Sequence, residues 1–240
     1  MYQDPEGIVL PARSRGDRNV QRSSAGHCTG YAVLGEGEGT LVQAESWLEL
    51  CNLNTLNARL DVVALKEQEA FHYGWTQATM KTHFFDVVAS MSDGARIAYT
   101  VKPQPFVHRA SKLRGADGRI LDHRTFLEKM REISWWAVEK TQEYDDVRLI
   151  TKSDIDPIDL RNAEIFNRVR QVDQDALDAA RKVVSEMPEG SGRSLRDLTL
   201  DAGASAEAYR ALLHLMRKGE LRCIAREIIS PKSIVTVTGR

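Results

Sequence analysis

The sequence predicts an α/β protein of two unequal units, the first a sheet flanked by helices and the second mainly helical. Three observations predict it. Strand-like runs such as "VVALKEQEAFHY", "HFFDVVASM", "ARIAYTVKP" and "VRLIT" mix with helix-favouring stretches in the first part, whereas helix-favouring stretches dominate the rest. The two patterns are separated by "KSDIDP", which sets a boundary near Asp156–Asp159. The 240 residues, 42% hydrophobic and 28% charged, are ordinary globular material, enough for one large domain or two small ones.

Residues 1–40 are polar, rich in Arg, Ser and Gly, and end in "GEGEGT", which reads as a flexible irregular arm. Its arginines Arg13, Arg15, Arg18 and Arg22 either touch phosphate or sit in a solvated tail. In "AESWLELCNLNTL", Trp47, Leu48, Leu50 and Leu53 recur at mixed three- and four-residue spacing. That spacing predicts an amphipathic helix over 44–56, with Glu45 and Glu49 on one face. "VVALKEQEAFHYGW" reads as one strand and the start of another.

"HFFDVVASM" and "ARIAYTVKP", joined by "SDG", predict a β-hairpin with Asp86 on its first strand and Lys102 at the end of its second. A basic loop, "RASKLRGADGR", follows. Asp122 is then the expected N-cap of a helix whose stripe runs through Phe126, Met130, Ile133 and Trp136 and covers one sheet face. "VRLIT" adds a strand and closes a unit spanning 41–156.

Residues 157–240 contain four helix-favouring stretches, "LRNAEIFNRVRQ", "DQDALDAARKVVSEM", "SLRDLTLDAG" and "SAEAYRALLHLMRKGEL", and end in two short strands around Ser-Pro-Lys. Helices followed by a two-stranded wing are in the order of a winged helix-turn-helix, a module that binds DNA or packs on protein.

Composition excludes several classes. A net charge of −1 is not the footprint of a protein that coats nucleic acid, so any DNA contact has to be local. Cys28, Cys51 and Cys223 are far apart and make no CxxC pair, which predicts reduced thiols and no zinc site. No apolar run is long enough to span a membrane and the N-terminus lacks a signal-peptide core, so a cytoplasmic protein is expected. Ser46, Ser111 and Ser134 lie in no nucleophile-elbow motif. His108 and His123 flank the basic loop with no carboxylate at ligand spacing, and Trp135-Trp136 read as core residues.

The remaining candidates are Glu49, Asp86 and Lys102. A Mg²⁺-dependent nuclease needs hard oxygen ligands converging near a phosphate and a cation to orient water and offset developing charge. An Asp and a Lys on neighbouring strands of a hairpin lie side by side, and a helix packed on the sheet brings a Glu to the same edge. Taken singly, each residue is equally at home on a solvated surface.

The order of these residues resembles TnsA, the endonuclease family of heteromeric cut-and-paste transposases, and through it the restriction-endonuclease-like PD-(D/E)xK nucleases. "WLEL" followed by "LDVVALKEQ" is similar to that family's acid-bearing helix and its next strand, ending in Glu-Gln. Asp86 falls on its central aspartate, Asp93-Gly94 on its hairpin turn and Lys102-Pro103 on its "VKP". The likeness extends over nearly the whole chain beyond residue 40. It implies a restriction-endonuclease-like mixed sheet, then a helical, winged-helix-like domain that binds DNA or a partner.

The resemblance further implies that Glu49, Asp86, Thr100 and Lys102 form the catalytic set. Mg²⁺, or Mn²⁺ in its place, would be held by Asp86, Glu49 and the Val101 carbonyl. Thr100 stands where the family's DNA-cutting member has Gln; it is neutral and short, so Glu49 has to supply the second negative charge. His83 reads as a packing or DNA-facing residue and not a ligand. The implied activity is hydrolysis of double-stranded DNA at the 5′ ends of an element, leaving 5′ phosphates, beside an integrase-like subunit acting on the 3′ ends and an ATPase regulator. The alternatives are a non-enzymatic DNA- or protein-binding module on a nuclease fold and a stand-alone defence nuclease.

Overall fold

The computed structural model describes residues 2–3, 9–20, 28–110 and 124–239. Strand β1 (Tyr2–Gln3) pairs antiparallel with β2 (Val9–Leu10), and β3 (Gly30–Leu34) with β4 (Thr40–Ala44). The second pair corrects the expectation of an irregular arm through residue 40. "GEGEG" is a tight turn, with Gly35, Gly37 and Gly39 all at positive φ, and Leu34, Val42 and Ala44 are buried. A Cβ at Gly39 would meet Val33 Cγ1 at 2.7 Å as well as facing a φ of +76°.

Helix α1 (Trp47–Asn57) starts three residues later than its apolar spacing predicts, because residues 42–44 are committed to β4. Its buried residues include Glu49, Asn52, Leu53 and Leu56, a stripe at i, i+3, i+4 and i+7, while Trp47 is exposed. The helix therefore turns a mixed polar and apolar face inward.

The main sheet has four strands in the order β5 (Val62–Tyr73), β6 (Lys81–Met91), β7 (Arg96–Val101), β8 (Asp146–Ile150). The first three are antiparallel neighbours and β8 runs parallel to β7, which makes the sheet mixed. β5 is a single strand, not one and the start of another. The hairpin β6–β7 turns at Asp93-Gly94 as expected, with Asp93 accepting from Ala95 N–H and Gly94 at φ +91°. A short helix α2 (Gln104–Val107) follows Pro103.

Helix α3 (Phe126–Ser134) is capped by Thr125, whose hydroxyl accepts from Glu128 N–H while Glu128 reaches back to Thr125. The expected cap, Asp122, lies outside the described residues, as do Arg22, Ser111 and His123. α3 continues as a π-helical turn over Trp135–Lys140. It buries Met130, Ile133 and Trp136 against Phe71, Phe85 and Val88, while α1 covers Val87, Ala89 and Tyr99 on the other side. Trp135 corrects the expectation of two core tryptophans: it is exposed beside Trp75. Adjacent helical residues diverge by roughly 100°, so only one of the pair faces the sheet.

Beyond Asp156, which caps α4 (Pro157–Asn167), come α5 (Gln174–Ser185), β9 (Arg193–Ser194), α6 (Leu195–Asp201), α7 (Ala206–Arg217), β10 (Leu221–Cys223) and β11 (Ile234–Val237). The small sheet has the order β10-β11-β9, one strand more than expected. Ala208 and residues 211–217 of α7 are buried, and Ala211, Leu212, Leu213, Leu215 and Met216 belong to the apolar cluster that also holds Leu177, Leu195 and Leu198. The chain is thus mixed α/β with a mixed sheet. No helix among the described residues is long and apolar enough to cross a membrane, and all three cysteines are free.

Candidate active site

Strict alternation sends residues two apart to the same face of a sheet. Here Val87 and Ala89 join the cluster under α1, yet Phe85 joins the one under α3. On β5, likewise, Leu65 packs with the first cluster and Phe71 with the second. The alternation slips between these positions, where Gln68 of β5 takes φ +50° and the register places it opposite Asp86 of β6. Interruptions of this kind re-aim side chains and gather at functional sites.

Asp86 keeps partial solvent access, although protein surrounds its carboxyl densely. Its Oδ2 accepts from Val101 N–H at 2.6 Å. Burial first, then the charge of Glu49, push the Asp86 carboxyl up to about 7, while the Val101 hydrogen bond, Lys102 and Arg18 pull the other way. Glu49 is the third residue of α1, and the N-cap Ser46 Oγ accepts from its N–H at 3.2 Å. Its carboxylate reaches back to accept from Glu45 N–H at 2.8 Å and Ser46 Oγ at 2.9 Å, a capping arrangement. Burial, then the charge of Glu45, raise its pKa against those hydrogen bonds and the charge of Lys102. Glu45 itself precedes the cap, so it does not share a helix face with Glu49, which corrects that expectation.

Lys102, just past β7, acts electrostatically on Asp86, Glu49 and His83, and its Nζ lies 5.1 Å from the centre of the Phe126 ring. Thr100 is buried and its Oγ1 lies 3.1 Å from His83 Nε2, so its hydroxyl engages the histidine. Burial, then Arg18 and Lys102, drive the His83 imidazole down to about 4, which keeps it neutral near pH 7. What the structure shows of Val101 is its N–H, holding Asp86. Glu49, Asp86 and Lys102 therefore converge into one cluster, with Thr100 and His83 beside it, while His108 is exposed.

The chain matches no protein-family model, and no curated protein matches it significantly.

Among the described residues, no group of three or more His, Cys, Asp or Glu is placed to hold a metal ion. The available donor set is the pair Asp86 and Glu49, hard oxygens of the kind Mg²⁺ or Mn²⁺ prefer, with backbone carbonyls for the remainder. A divalent cation would relieve two acids raised by burial and by neighbouring negative charge, but both Glu49 oxygens accept from Glu45 N–H and Ser46 Oγ and would have to be shared with the helix cap. Asp86 Oδ1 also accepts no hydrogen bond from the described residues.

The sequence offers Arg18 only as one of four arm arginines and Gln68 only as the end of a Glu-Gln pair, and places neither at this site. Gln68 is fully buried, its Oε1 accepts from Arg18 Nε at 2.6 Å, and its Nε2 has no partner among the described residues. Arg18 also donates from Nη2 to Glu45 at 3.1 Å and lies over Phe84. The signal was the polar run "KEQE" in the middle of a strand, three of whose members, Glu67, Gln68 and Glu69, are buried.

Proposed function

We propose that the protein is a metal-dependent DNA endonuclease of the TnsA type, the transposase subunit that hydrolyses a phosphodiester at the 5′ ends of an element. The observation that carries this reading is the convergence of Glu49 from α1 with Asp86 and Lys102 from the β6–β7 hairpin, at the interruption of the sheet's alternation. Asp86 and Glu49, with the Val101 carbonyl, would hold Mg²⁺ or Mn²⁺. Such an ion, when bound, polarises the phosphate and lowers the pKa of water. Val101 N–H orients the Asp86 carboxyl, and Lys102 orients the attacking water and offsets charge on the phosphate. Neutral His83, paired with Thr100, packs behind this edge.

The C-terminal unit follows the helix, strand, helix, helix, strand, strand order of a winged helix. Its α7 occupies the position of a recognition helix, but it is buried and its cations are engaged. Arg210 meets Glu207 and the carbonyl of Arg168, and Arg217 and Lys218 meet Glu36. This favours docking on an integrase-like transposase subunit and an ATPase regulator over reading of base sequence.

A second reading has its own support. Both Glu49 oxygens already serve the α1 cap, which is what a nuclease fold kept only as a binding module would retain. Incubation of supercoiled DNA with the protein in Mg²⁺ or Mn²⁺ separates the two. The nuclease reading expects nicking or linearisation that EDTA and Asp86→Ala abolish. Equal cutting by Asp86→Ala, or none by the wild type, overturns it.

A further inference from the structure

We propose that Arg18 is a DNA-phosphate contact, held at the edge of the active site by Gln68 and Glu45, so that the segment 12–20 is a wall of the DNA-binding cleft. The inference rests on the endonuclease reading and adds to it a residue outside the Glu49, Asp86 and Lys102 set.

The segment is docked along its length. Ala12 donates to Gly39 O at 2.9 Å and its carbonyl accepts from Leu41 at 2.8 Å; Ser14 Oγ donates to Glu67; Asp17 N–H donates to Gln68 O at 3.1 Å. Asp17 in turn takes Lys66 Nζ and Ala70 N–H. At Gly16 the approach is so close that a Cβ would lie 3.0 Å from Glu67 O and 3.4 Å from Gln68 Cβ. Glycine is the residue that lets one backbone come this near another.

Arg18 then lies against the site. Its Nε binds Gln68, the residue opposite Asp86, its Nη2 binds Glu45, the residue whose N–H holds Glu49, and its guanidinium covers Phe84 at 4.7 Å. Its charge reaches both Asp86 and His83. The side chain remains 36% exposed, and Nη1 has no partner among the described residues. With Nε and Nη2 engaged and Nη1 open, the guanidinium is held in place with one nitrogen left to donate to a phosphate oxygen. Gln68 supports the assignment from the buried side. Its Nε2 is a donor shut away from solvent without a partner among the described residues, and such a group is costly unless a ligand or a water takes it. The strained backbone at Gln68 has a use on this account, since it holds the amide that fixes Arg18.

The test is binding of the full-length protein to a short DNA duplex in EDTA, with Kd followed across a salt series. Wild type is expected to bind with a salt slope set by several phosphates. Arg18→Ala should weaken binding and reduce the magnitude of that slope by about 0.9, the value of one phosphate contact. Arg18→Lys should keep the slope. Should Arg18→Ala melt well below wild type, Arg18→Gln, which retains a hydrogen bond to Gln68, is expected to show the same loss of slope. Unchanged affinity and slope in a folded Arg18→Ala or Arg18→Gln protein overturns the assignment. Wild type that binds in EDTA but never cuts in Mg²⁺ sinks the nuclease reading while the slope still decides on Arg18, and wild type that binds no DNA sinks both.

Discussion

Asp86 is a carboxylate whose surroundings oppose its charge. Its pKa rises from 3.8 to about 7 in the folded chain, so between those values the native state holds a proton that the unfolded state has lost. The stability this contributes is full at low pH and disappears as pH rises through about 7. His83 acts with the opposite sign: lowered from 6.5 to about 4, it contributes stability above 6.5 that is lost as pH falls toward 4. Comparison with Asp86→Asn cancels the histidine. In the absence of metal, Asp86→Asn should be more stable than wild type at pH 8 by on the order of 1–3 kcal/mol, the full shift being discounted for the carboxyl's solvent access. At pH 5 the gap should be well under its pH 8 value, and it should close only below about 3.8, where the unfolded carboxyl is protonated as well; chemical denaturation at the two pH values measures the narrowing. A gap independent of pH would mean that the Asp86 carboxyl is not perturbed. Glu49 joins two roles in one side chain, and substitutions separate them. Glu49→Gln keeps an acceptor for the cap and should fold like wild type while losing cleavage by on the order of 100-fold. Glu49→Ala should also lose about 1 kcal/mol of stability with the cap, and Glu45→Gln should still cut. Retained cleavage in Glu49→Gln would leave that residue as a cap alone.

Among the elements, α7 shows how burial overrules a motif. In the winged-helix arrangement proposed above it would be the helix that enters a groove, yet residues 211–217 are buried and solvent meets chiefly its first turn and Arg210. Arg210, the one cation near its middle, is occupied by Glu207 and by the carbonyls of Arg168 and Gln171. Arg210→Ala in the full-length protein is therefore expected to leave DNA affinity and its salt slope unchanged. A loss of slope near that of one phosphate, read by the same titration, would make α7 a DNA contact after all. β5 carries a related lesson. Its apolar residues alone read as two strands, because the buried run Glu67-Gln68-Glu69 interrupts them, but Ser14, Arg18, Arg96 and Tyr144 partner one oxygen of each of these residues from other parts of the chain, leaving Glu67 Oε2 and Gln68 Nε2 without a partner among the described residues.

Arg217 clasps the β3–β4 turn to α4 and α7. It is 6% exposed at the end of α7, and it donates to Glu36 at 2.9 Å and Gly35 O at 3.0 Å in the β3–β4 turn, and to Phe166 O at 3.1 Å in α4. Asn57 Nδ2 in α1 adds a 2.5 Å hydrogen bond to Asn167 Oδ1. Removing one partner of such a pair strands the others. Arg217→Ala should cost about 1–3 kcal/mol, from the carbonyls of Gly35 and Phe166 that lose their donor, since the exposed Glu36 can rehydrate. Urea denaturation checks this, and an unchanged midpoint would show that the clasp contributes nothing to holding the turn against α7.

Local order was enough to determine the β6–β7 hairpin, since alternation and "SDG" are short-range signals, and with it the placing of Asp86 on one strand and Lys102 just past the end of its neighbour. The same holds for the helices of residues 157–240, whose apolar periodicity and caps lie within each segment. Tertiary structure alone decided the rest. The apolar spacing of Trp47, Leu48, Leu50 and Leu53 finds only part of the inward face of α1: Leu53 is buried and Leu50 packs on the core, but Trp47 is exposed and the buried stripe also carries Glu49 and Asn52, since burial of a polar residue depends on what lies opposite. "GEGEGT" carries the composition of a loose arm and becomes a turn only because β3 and β4 find each other and pack on the sheet. Arg18 and Gln68 are 50 residues apart, and neither sequence neighbourhood encodes the other. Periodicity and turn chemistry act over a few residues, whereas the register that aligns Gln68 with Asp86 and brings Arg18 over both is set by contacts between distant segments, each favourable only once the others have formed.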